Sequence, residues 1–473
     1  MTSSTSPPDL IDTVRSFAYR STFSPAGQRI FDLLMRKGYR AAYAWLMRTQ
    51  WLSSQEIRAL QLSQLKDLLE HAYSYSPFHR DRLRAAGWKP GAAVDFETLG
   101  SLPVLERVDL QERLDQVATV RRWRAPRLTV ARSGGTTSGT PLKTYVDGLS
   151  HDRKSAVWPR NESWVGLRPG DRQVVVGGFS RGLNPSIPLR ARVQDWLRNR
   201  SVVLLWTFDE ASLERCVRAL DERKPKYLAA FPSGLYALAT FLRANGRRLR
   251  IPVVYATGEM MYPEWRDLVL EYLGDLFCEA YGAAEASHIA FTCAACGVLH
   301  VNDENILVET EPGTGEILIT DLTNRATPLI RYRVGDRGEL AEGPAACGRG
   351  LSSLLRVHGR TADVLDLGGG KKVTGVVFPT VMLKYTMVRA YQVWQPESRR
   401  LQFLLQGPPD VPASAICADL GRLIPSASIE VIGVDDIPPT DAGKRPVIVP
   451  GRAYRGPGRL LASSEGAPLV TAP

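Results

Sequence analysis

The chain has 473 residues, of which 44% are hydrophobic and 23% are charged, close to the values of ordinary globular proteins. This composition excludes a largely disordered chain, and 40 glycines, 32 prolines and 6 cysteines exclude collagen-like and disulfide-scaffold proteins. The length predicts two or three domains. The formal net charge of +11 is compatible with three kinds of partner: nucleic acid, a membrane surface or anionic small molecules. The arginines are dispersed, however, and none lies in a recognisable nucleic-acid motif, so we expect no nucleic-acid partner.

The sequence lacks the features that direct a chain into or across a membrane. No apolar run approaches the roughly 20 residues that span a bilayer. Residues 1–8 (MTSSTSPP) have neither a basic start nor an apolar core, so they do not match a signal peptide. We therefore expect a cytoplasmic protein with no membrane span, in which cysteines are more often ligands or core residues than disulfides.

The N-terminal part is predicted to be helical. Its small and apolar residues recur at three- and four-residue steps, at Leu62, Leu65, Leu69 and Ala72, which places them on one helix face. The helix is expected to end before Pro77, because a residue that precedes proline avoids the helical region.

From about residue 125, short β-rich runs alternate with helical stretches. The predicted strands lie at 174–176, 202–206, 227–231 and 253–255, and the predicted helices between them at 212–219 and 233–244. Strands that alternate with helices predict an α/β fold with a largely parallel sheet. After Gly315, strands at 316–320 and 338–340 with no long helix between them predict a smaller β-rich subdomain.

A domain boundary is predicted near residues 359–363. It is followed by a compact segment with predicted strands at 390–394 and 401–405 and a helix at 414–423. The end of the chain is rich in Gly, Ala, Ser and Pro, which is typical of a frayed terminus. We predict a helical extension over 1–50, a large N-terminal domain over 51–362, a small α+β C-terminal domain over 363–455 and a flexible tail over 456–473.

A loop rich in glycine and hydroxyl residues lies at 133–141 (SGGTTSGTP). Its glycines let backbone amides converge on an anion, and its hydroxyls add donors. The spacing of Gly134 and Gly139 matches the phosphate loop of nucleoside triphosphatases, but Thr140 stands where that loop has its lysine. The loop therefore predicts phosphate binding outside that class, with a flexible turn as the alternative.

Four further motifs follow in chain order: 281–285 (YGAAE), 332–336 (YRVGD), 359–363 (GRTAD) and 439–444 (PTDAGK). In the first, a tyrosine can cover a flat base and a glutamate can hold magnesium against phosphates. In the second, an aspartate beside a glycine can accept hydrogen bonds from a ribose diol. Each motif alone is weak, because ordinary turns and solvated charges have the same pattern.

Taken in this order, the five motifs resemble those of the adenylate-forming superfamily of acyl- and aryl-CoA ligases, luciferases and peptide-synthetase adenylation domains. The sequence is more similar still to the phenylacetate–CoA ligase branch, with its capsular-polysaccharide-type relatives. That similarity lies in 65–72 (LKDLLEHA), 76–79 (SPFH) and 102–107 (LPVLER). The resemblance covers roughly residues 55–450.

The resemblance implies that residues 51–362 bind ATP and the acid and that 363–455 form a mobile lid. The implied ATP-binding residues are Ser133, Gly134, Gly135, Thr136, Thr137, Gly139, Gly258, Glu259, Tyr281, Gly282, Asp336 and Arg360. The implied catalytic residues are Lys444, Glu285 and Thr136. Glu285 would hold Mg²⁺, Lys444 would reach the carboxylate and the α-phosphate, and Asp363 would be the hinge. The sequence departs from the family at Ala284, where a hydroxyl residue usually precedes the glutamate.

A cysteine cluster predicts a metal site. Cys293 and Cys296 have the spacing of zinc ligands, His300 follows, and Cys347 could complete a tetrahedron. The alternative is a set of buried thiols and a surface histidine. Relatives often carry a structural zinc in this region, commonly with the cysteine pair later in the chain. The remaining cysteines, Cys216, Cys278 and Cys417, are interpreted as small core residues.

The acid pocket carries no motif. Phe231, Tyr255, Met260 and His288 are candidate pocket residues, although aromatic, methionine and loop histidine residues at such positions are as readily structural. The resemblance implies an ATP- and Mg²⁺-dependent ligase that forms an acyl-AMP, from an aryl acid, and pyrophosphate. The acyl group would then pass to coenzyme A. An amide- or ester-forming synthetase with an amine or hydroxyl acceptor is one alternative, and a degenerate nucleotide-binding assembly protein is another. Because proteins of this family are often dimers, the resemblance also implies a homodimer.

Overall fold

The computed structural model describes residues 38–125, 127–132, 142–168, 170–176, 195, 199–205, 210–360, 364–367, 372–374, 377–382, 385, 387–425, 427–437 and 446–464. Its helices are α1 (Tyr39–Thr49), α2 (Ser54–Tyr75), α3 (Pro77–Ala85), α4 (Phe96–Ser101), α5 (Arg107–Glu112), α6 (Leu114–Val117), α7 (Gly148–Ser163), α8 (Glu210–Arg223), α9 (Pro232–Ala244), α10 (Pro263–Tyr272), α11 (Val377–Met382) and α12 (Ala413–Leu423).

The strands begin with β1 (Thr129–Arg132), β2 (Lys143–Val146), β3 (Gln173–Val176), β4 (Arg200–Val203), β5 (Tyr227–Ala230), β6 (Ile251–Thr257), β7 (Gly274–Ala283), β8 (Ser287–Thr292), β9 (Leu299–Val301) and β10 (Ile306–Thr310). They continue with β11 (Glu316–Asp321), β12 (Tyr332–Leu340), β13 (Ser353–Arg360), β14 (Val364–Asp366), β15 (Lys372–Thr374), β16 (Ala390–Glu397), β17 (Arg400–Gln406), β18 (Ser428–Gly433), β19 (Ile448–Pro450) and β20 (Arg459–Ser464).

Helix α2 begins and ends where its sequence dictates. Ser53 forms a capping box with Glu56, in which the Glu56 amide donates to the Ser53 hydroxyl and the Ser53 amide donates to the Glu56 carboxylate over 2.8 Å. The predicted end before Pro77 is confirmed, and Ser76 then caps α3 by accepting from the His79 amide. The predicted apolar stripe is buried, including Leu65 and Leu69.

The described residues form two compact units. The first contains those of Met1–Asp171, Trp196–Asn199 and Cys278–His358, and the second contains those of Arg172–Asp195, Arg200–Phe277 and Gly359–Pro473. The predicted division at residue 362 concerns function and motion, and it stays a prediction.

In the second unit, β6, β5, β3 and β4 lie side by side and pair in parallel. Strands β3 and β5 are buried along their whole length, which is expected of parallel strands covered on both faces. Helices α8, α9 and α10 contribute to the same apolar core. The predicted α/β architecture with a parallel sheet is confirmed.

The later part of the second unit has its own sheet, in the order β19–β16–β17–β18–β20. The predicted strands and helix of the C-terminal segment are present as β16, β17 and α12. Strand β20 lies inside the range 456–473 assigned to the tail, and it pairs antiparallel with β18.

The first unit holds the antiparallel strands. From β10 through β11, β12, β13, β9 and β8 to the last residues of β7, neighbouring strands pair in that order. Strands β1 and β2 form a separate antiparallel pair. Within the described ranges, no helix is long and apolar enough to cross a membrane.

Candidate active site

The two motifs at 281–285 and 332–336 are joined by a pair of tyrosine–carboxylate hydrogen bonds. The Tyr281 hydroxyl donates to Oδ2 of Asp336 over 2.8 Å. The Tyr332 hydroxyl donates to Oε1 of Glu285 over 2.7 Å. The tyrosine of each motif therefore orients the carboxylate of the other. The sequence named three of these four residues and missed the role of Tyr332, although its motif contains it.

The backbone irregularities of β7 and β12 accompany this arrangement. The β11–β12 register shifts between Leu318 and Glu316, opposite the stretch that contains Gly335 and Asp336. Gly335 has φ 90°, a left-handed conformation that glycine adopts without a steric penalty. A bulge of this kind redirects the side chains that follow it, and Asp336 is almost buried, at 8% exposed.

Gly282 is required by a close approach of two strands. A Cβ atom at this position would lie 2.4 Å from the carbonyl oxygen of Ser287. The β7–β8 register shifts at the same place, between Tyr281 and Gly282. The glycine therefore fixes the strand geometry from which Tyr281 projects, and its contact with ATP stays a prediction.

Glu285 is buried, and two polar side chains lie against its carboxylate. It is 6% exposed, and Nη1 of Arg107 lies 3.7 Å from the same Oε1 that Tyr332 contacts. Burial first, and then the Glu285 charge, raise the pKa of Tyr332, so its hydroxyl keeps the proton that it donates.

Arg107 is a site residue that the sequence analysis did not assign. It is the last residue of the 102–107 segment and the first residue of α5. Leu105 holds that segment against β12, because its amide donates to the Arg331 carbonyl over 2.9 Å and its carbonyl accepts from the Arg333 amide over 3.0 Å. The family-like segment 102–107 was the available signal, since it places an arginine beside the strand that carries Tyr332.

Gly258 and Glu259 follow β6 in the second unit. Gly258 has φ 84°, again in the left-handed region. The Glu259 carboxylate accepts from the Ser233 amide over 3.0 Å, at the first turn of α9. A carboxylate is stabilised there by the unpaired amides and the dipole of the helix. Glu259 therefore has a structural partner, and its part in nucleotide binding stays a prediction.

The candidate pocket residues differ in exposure. Tyr255 is fully buried with its ring 5.6 Å from that of Tyr227, and Phe231 is 8% exposed. Met260 is partly buried against the apolar core to which α8, α9 and α10 contribute. These placements are those of core side chains, and their contact with an acid stays a prediction.

His288 is half-buried and lies against Trp158, with 4.6 Å between the ring centroids. Burial lowers the pKa of His288 to about 4, so the imidazole is neutral at physiological pH. It follows Glu285 by three residues and is the second residue of β8. A neutral imidazole beside an indole could line an aromatic pocket, and this role also stays a prediction.

Several predicted site residues lie outside the described residues. They are Ser133, Gly134, Gly135, Thr136, Thr137, Gly139, Asp363 and Lys444. Arg360 ends β13, and its side chain lies outside the described part of the chain as well.

The predicted metal ligands come together in the first unit. One ligand atom from each of Cys293, Cys296, His300 and Cys347 lies within 4.8 Å of the others. His300 Nε2 is 3.4 Å from the Cys296 sulfur and 3.1 Å from the Cys347 sulfur. Three thiols and one imidazole nitrogen at these separations suit tetrahedral zinc.

Neighbouring side chains orient the His300 ring and shift the pKa values of the ligands. His300 Nδ1 lies 3.2 Å from the Ser353 hydroxyl, which leaves Nε2 to face the sulfurs, and burial lowers the pKa of the imidazole. Burial alone would raise the pKa of Cys347, but hydrogen bonds from Arg349 outweigh it and lower that pKa. Burial raises the pKa of Cys296 to about 12. Within this pair, Cys347 is therefore the thiol that ionises first.

The remaining cysteines are core residues, as predicted. Cys216, Cys278 and Cys417 are buried. Burial raises the pKa of the Cys216 thiol to about 12, which is the behaviour of an inert core cysteine.

Comparison with known proteins gives sequence relatives and a shared fold. No protein-family model matches the sequence. Over 342 residues the chain is 27% identical to the phenylacetate–coenzyme A ligase of Thermus thermophilus, covering 67% of this chain and 73% of the relative. Over 344 residues it is 26% identical to the phenylacetate–coenzyme A ligase of Escherichia coli K12, covering 67% and 74%.

Among solved structures, the chain resembles 2-hydroxyisobutyryl-CoA ligase in the postadenylation state with an acyl-AMP. The TM-score is 0.67 at 17% identity, covering 86% of this chain and 92% of that one. This likeness establishes the fold. With the reciprocal tyrosine–carboxylate pairs and the sequence relatives, it identifies an adenylate-forming ligase. The sequence relatives confirm the resemblance to the phenylacetate–CoA ligase-like branch that the motifs had indicated.

Proposed function

We propose that this ligase activates an aryl acid with ATP and transfers the resulting acyl group to coenzyme A. The observation that carries the proposal is the reciprocal pairing of Tyr281 with Asp336 and of Tyr332 with Glu285. It holds two carboxylates in fixed orientations, and these are the carboxylates that the motifs assign to the ribose and to magnesium. The names of the relatives support the acid and the acceptor.

In the first step, an oxygen of the acid attacks the α-phosphorus of ATP, and the bond to the leaving pyrophosphate breaks. Both reactants are negatively charged, so the site must offset their repulsion. Lys444 is the proposed residue for this task, delivered by a lid over residues 363–455 that turns at Asp363. In the second step, a thiol attacks the acyl carbonyl and AMP leaves, for which we propose that the lid moves Lys444 away.

The surroundings of Glu285 suit a magnesium ion. Its carboxylate is a hard oxygen donor whose Oε1 is held by the Tyr332 hydroxyl. Bound there, Mg²⁺ would neutralise charge on the phosphates. The chain's own part is to orient the Glu285 carboxylate through the Tyr332 hydroxyl.

We also propose that the cluster of Cys293, Cys296, His300 and Cys347 holds a structural zinc ion. The support is its donor set, three thiols and an imidazole that converge on one point. Four protein ligands leave no position open for a substrate, which separates this site from the chemistry.

The proposal is tested by pyrophosphate release from ATP across a panel of aryl and aliphatic acids, with and without coenzyme A. We expect release that depends on an aryl acid, and an acyl-CoA product only when coenzyme A is present. Product that forms only with an amine or a hydroxyl acceptor would replace the proposal with an amide or ester synthetase. No acid-dependent release from any acid would favour a nucleotide-binding assembly protein.

Lys444→Ala separates the two steps. Adenylation should collapse by about 10²–10³-fold, the usual loss when a charge-stabilising group is removed, while transfer from supplied acyl-AMP largely persists. Equal loss of both steps would contradict the role proposed for Lys444. Lys226→Ala, on the surface of the second unit, is the matched control and should leave both steps near wild type.

A further inference from the structure

The loop that follows Cys347 lies directly against the chain segment that precedes α2. The Gly350 amide donates to the Leu52 carbonyl over 3.1 Å. A Cβ atom on Gly350 would lie 2.3 Å from that carbonyl oxygen, so the two backbones are in contact along this stretch. The segment 50–53, which we call the N-terminal junction, links α1 to α2.

Arg349 connects this junction to the metal ligands. It is 8% exposed, and its Nη1 donates to the Cys293 sulfur over 3.4 Å while its Nε donates to Oε1 of Gln50 over 3.4 Å. Its guanidinium lies over the ring of Trp51 at 4.5 Å and over that of Trp164 at 5.2 Å. One buried cation therefore contacts a predicted ligand and two residues of the junction.

Trp164 forms a second link between the N-terminal junction and the metal ligands. Its indole nitrogen donates to the same Gln50 oxygen over 2.7 Å. Its ring centroid lies 5.6 Å from that of His300 in an edge-on arrangement. The junction is thus joined to two of the four predicted ligands through Arg349 and Trp164.

The charge of the metal-bound site explains why a cation lies beside it. Three thiolates, one neutral imidazole and Zn²⁺ carry a net charge of −1, which is unfavourable in a partly buried site unless a cation lies nearby. Arg349 is that cation, and it contacts both Cys293 and Gln50, so the side chain that balances the charge of the occupied site also holds the junction.

We propose that metal binding at this cluster fastens the N-terminal junction to the loop that follows Cys347, with Arg349 as the positioning residue that couples the two. The inference rests on the proposed zinc site. Coupling is reciprocal, so the metal should protect the junction from opening, and a weakened junction should lower the affinity for the metal by the same factor.

The test uses the full chain, its zinc content, a competition titration with a chromophoric chelator, and backbone hydrogen exchange of residues 46–54. Removing zinc from the wild type should speed exchange in 46–54. Arg349→Gln should lower zinc affinity by about 10–100-fold, the usual effect of losing an outer-sphere partner, and should leave exchange in 46–54 less sensitive to zinc. Arg248→Gln, which removes an exposed partner of Glu271, is the matched control and should change neither measurement.

Trp51→Ala tests the same coupling from the junction. Trp51 is 55% exposed, so its replacement should leave the fold intact, yet it should still lower zinc affinity. Zinc bound to the wild type with unchanged exchange in 46–54 after its removal would overturn the coupling and leave the zinc site standing. A wild type that binds no zinc would overturn both. Unchanged zinc affinity in both variants would overturn the role of Arg349.

Discussion

The carboxylate pairs and the thiol cluster lie in the same unit and differ in how their donors are arranged. Glu285 and Asp336 are each oriented by a tyrosine hydroxyl, and their two hydrogen bonds tie separate motifs together. In the thiol cluster, by contrast, four donor atoms converge within 4.8 Å.

In the proposed function, this difference separates a site that binds substrate from a site that binds a structural metal. A carboxylate that accepts one hydrogen bond from a hydroxyl has further oxygen lone pairs, which can bind a cation or a hydroxyl group. A converged set of four ligands satisfies one metal completely and leaves no coordination position for chemistry. The comparison predicts that changes to the carboxylates alter turnover, whereas changes to the cluster alter metal content and stability.

The largest expected effect is that of Glu285→Gln. It keeps the size of the side chain and removes the charge that would hold Mg²⁺, so we expect acid-dependent pyrophosphate release to fall by about 10²–10³-fold. The protein should remain folded. Activity within about threefold of wild type at all Mg²⁺ concentrations would show that Glu285 is not the magnesium residue. Glu271→Gln, 53% exposed, serves as the control.

Cys347→Ser tests the thiol cluster. It removes the thiol that ionises first, so zinc affinity should fall by more than the roughly 10–100-fold expected for an outer-sphere change. The melting temperature should fall with it, since binding to the folded state stabilises that state. Metal analysis and thermal unfolding check this, with Cys216→Ala as a core cysteine control. A normal zinc content would remove Cys347 from the ligand set.

The sequence was sufficient for the end of α2 and for the members of the thiol cluster. Periodicity and proline position determined α2, and the C-x₂-C spacing with His300 and Cys347 predicted a cluster whose members prove to be adjacent. Cysteine and histidine are chemically distinctive, so candidate metal ligands can be recognised without knowledge of the fold.

The reciprocal tyrosines could not be predicted in the same way. Tyr332 and Glu285 are 47 positions apart, and only the pairing of strands brings them together. Arg107 is farther still in sequence and depends on Leu105 lying along β12. Buried aromatic residues such as Tyr255 carry no signal that separates a pocket wall from a core. The assignment of the acid therefore rests on relatives rather than on residues.

A smaller effect is expected for Tyr332→Phe, which deletes one donor to Glu285. A hydrogen bond to a charged group contributes about 1.5–3 kcal/mol, so turnover should fall by roughly 10- to 150-fold. Because the hydroxyl orients the carboxylate rather than touching ATP, the apparent affinity for Mg²⁺ should weaken with it. Tyr281→Phe is the paired variant, and it should raise the KM for ATP more than it lowers kcat. Identical kinetic changes in the two variants would contradict separate roles for the two pairs.

The smallest effect is a pH dependence beside Glu285. The pKa of His288 is lowered to about 4 from an ordinary 6.5, because burial disfavours its charged form. The folded state then binds fewer protons than the unfolded state between these values, so His288 contributes stability that is present above pH 6.5 and lost as the pH falls towards 4. Its partial exposure limits the loss to roughly 1–2 kcal/mol. His288→Gln should remove that part of the acid sensitivity in denaturant titrations at pH 7, 5.5 and 4.5, while His71 and His79 contribute equally to both proteins. If the variant and the wild type lose stability in parallel across this range, His288 is not held neutral, and the site beside Glu285 is wetter than its packing against Trp158 indicates.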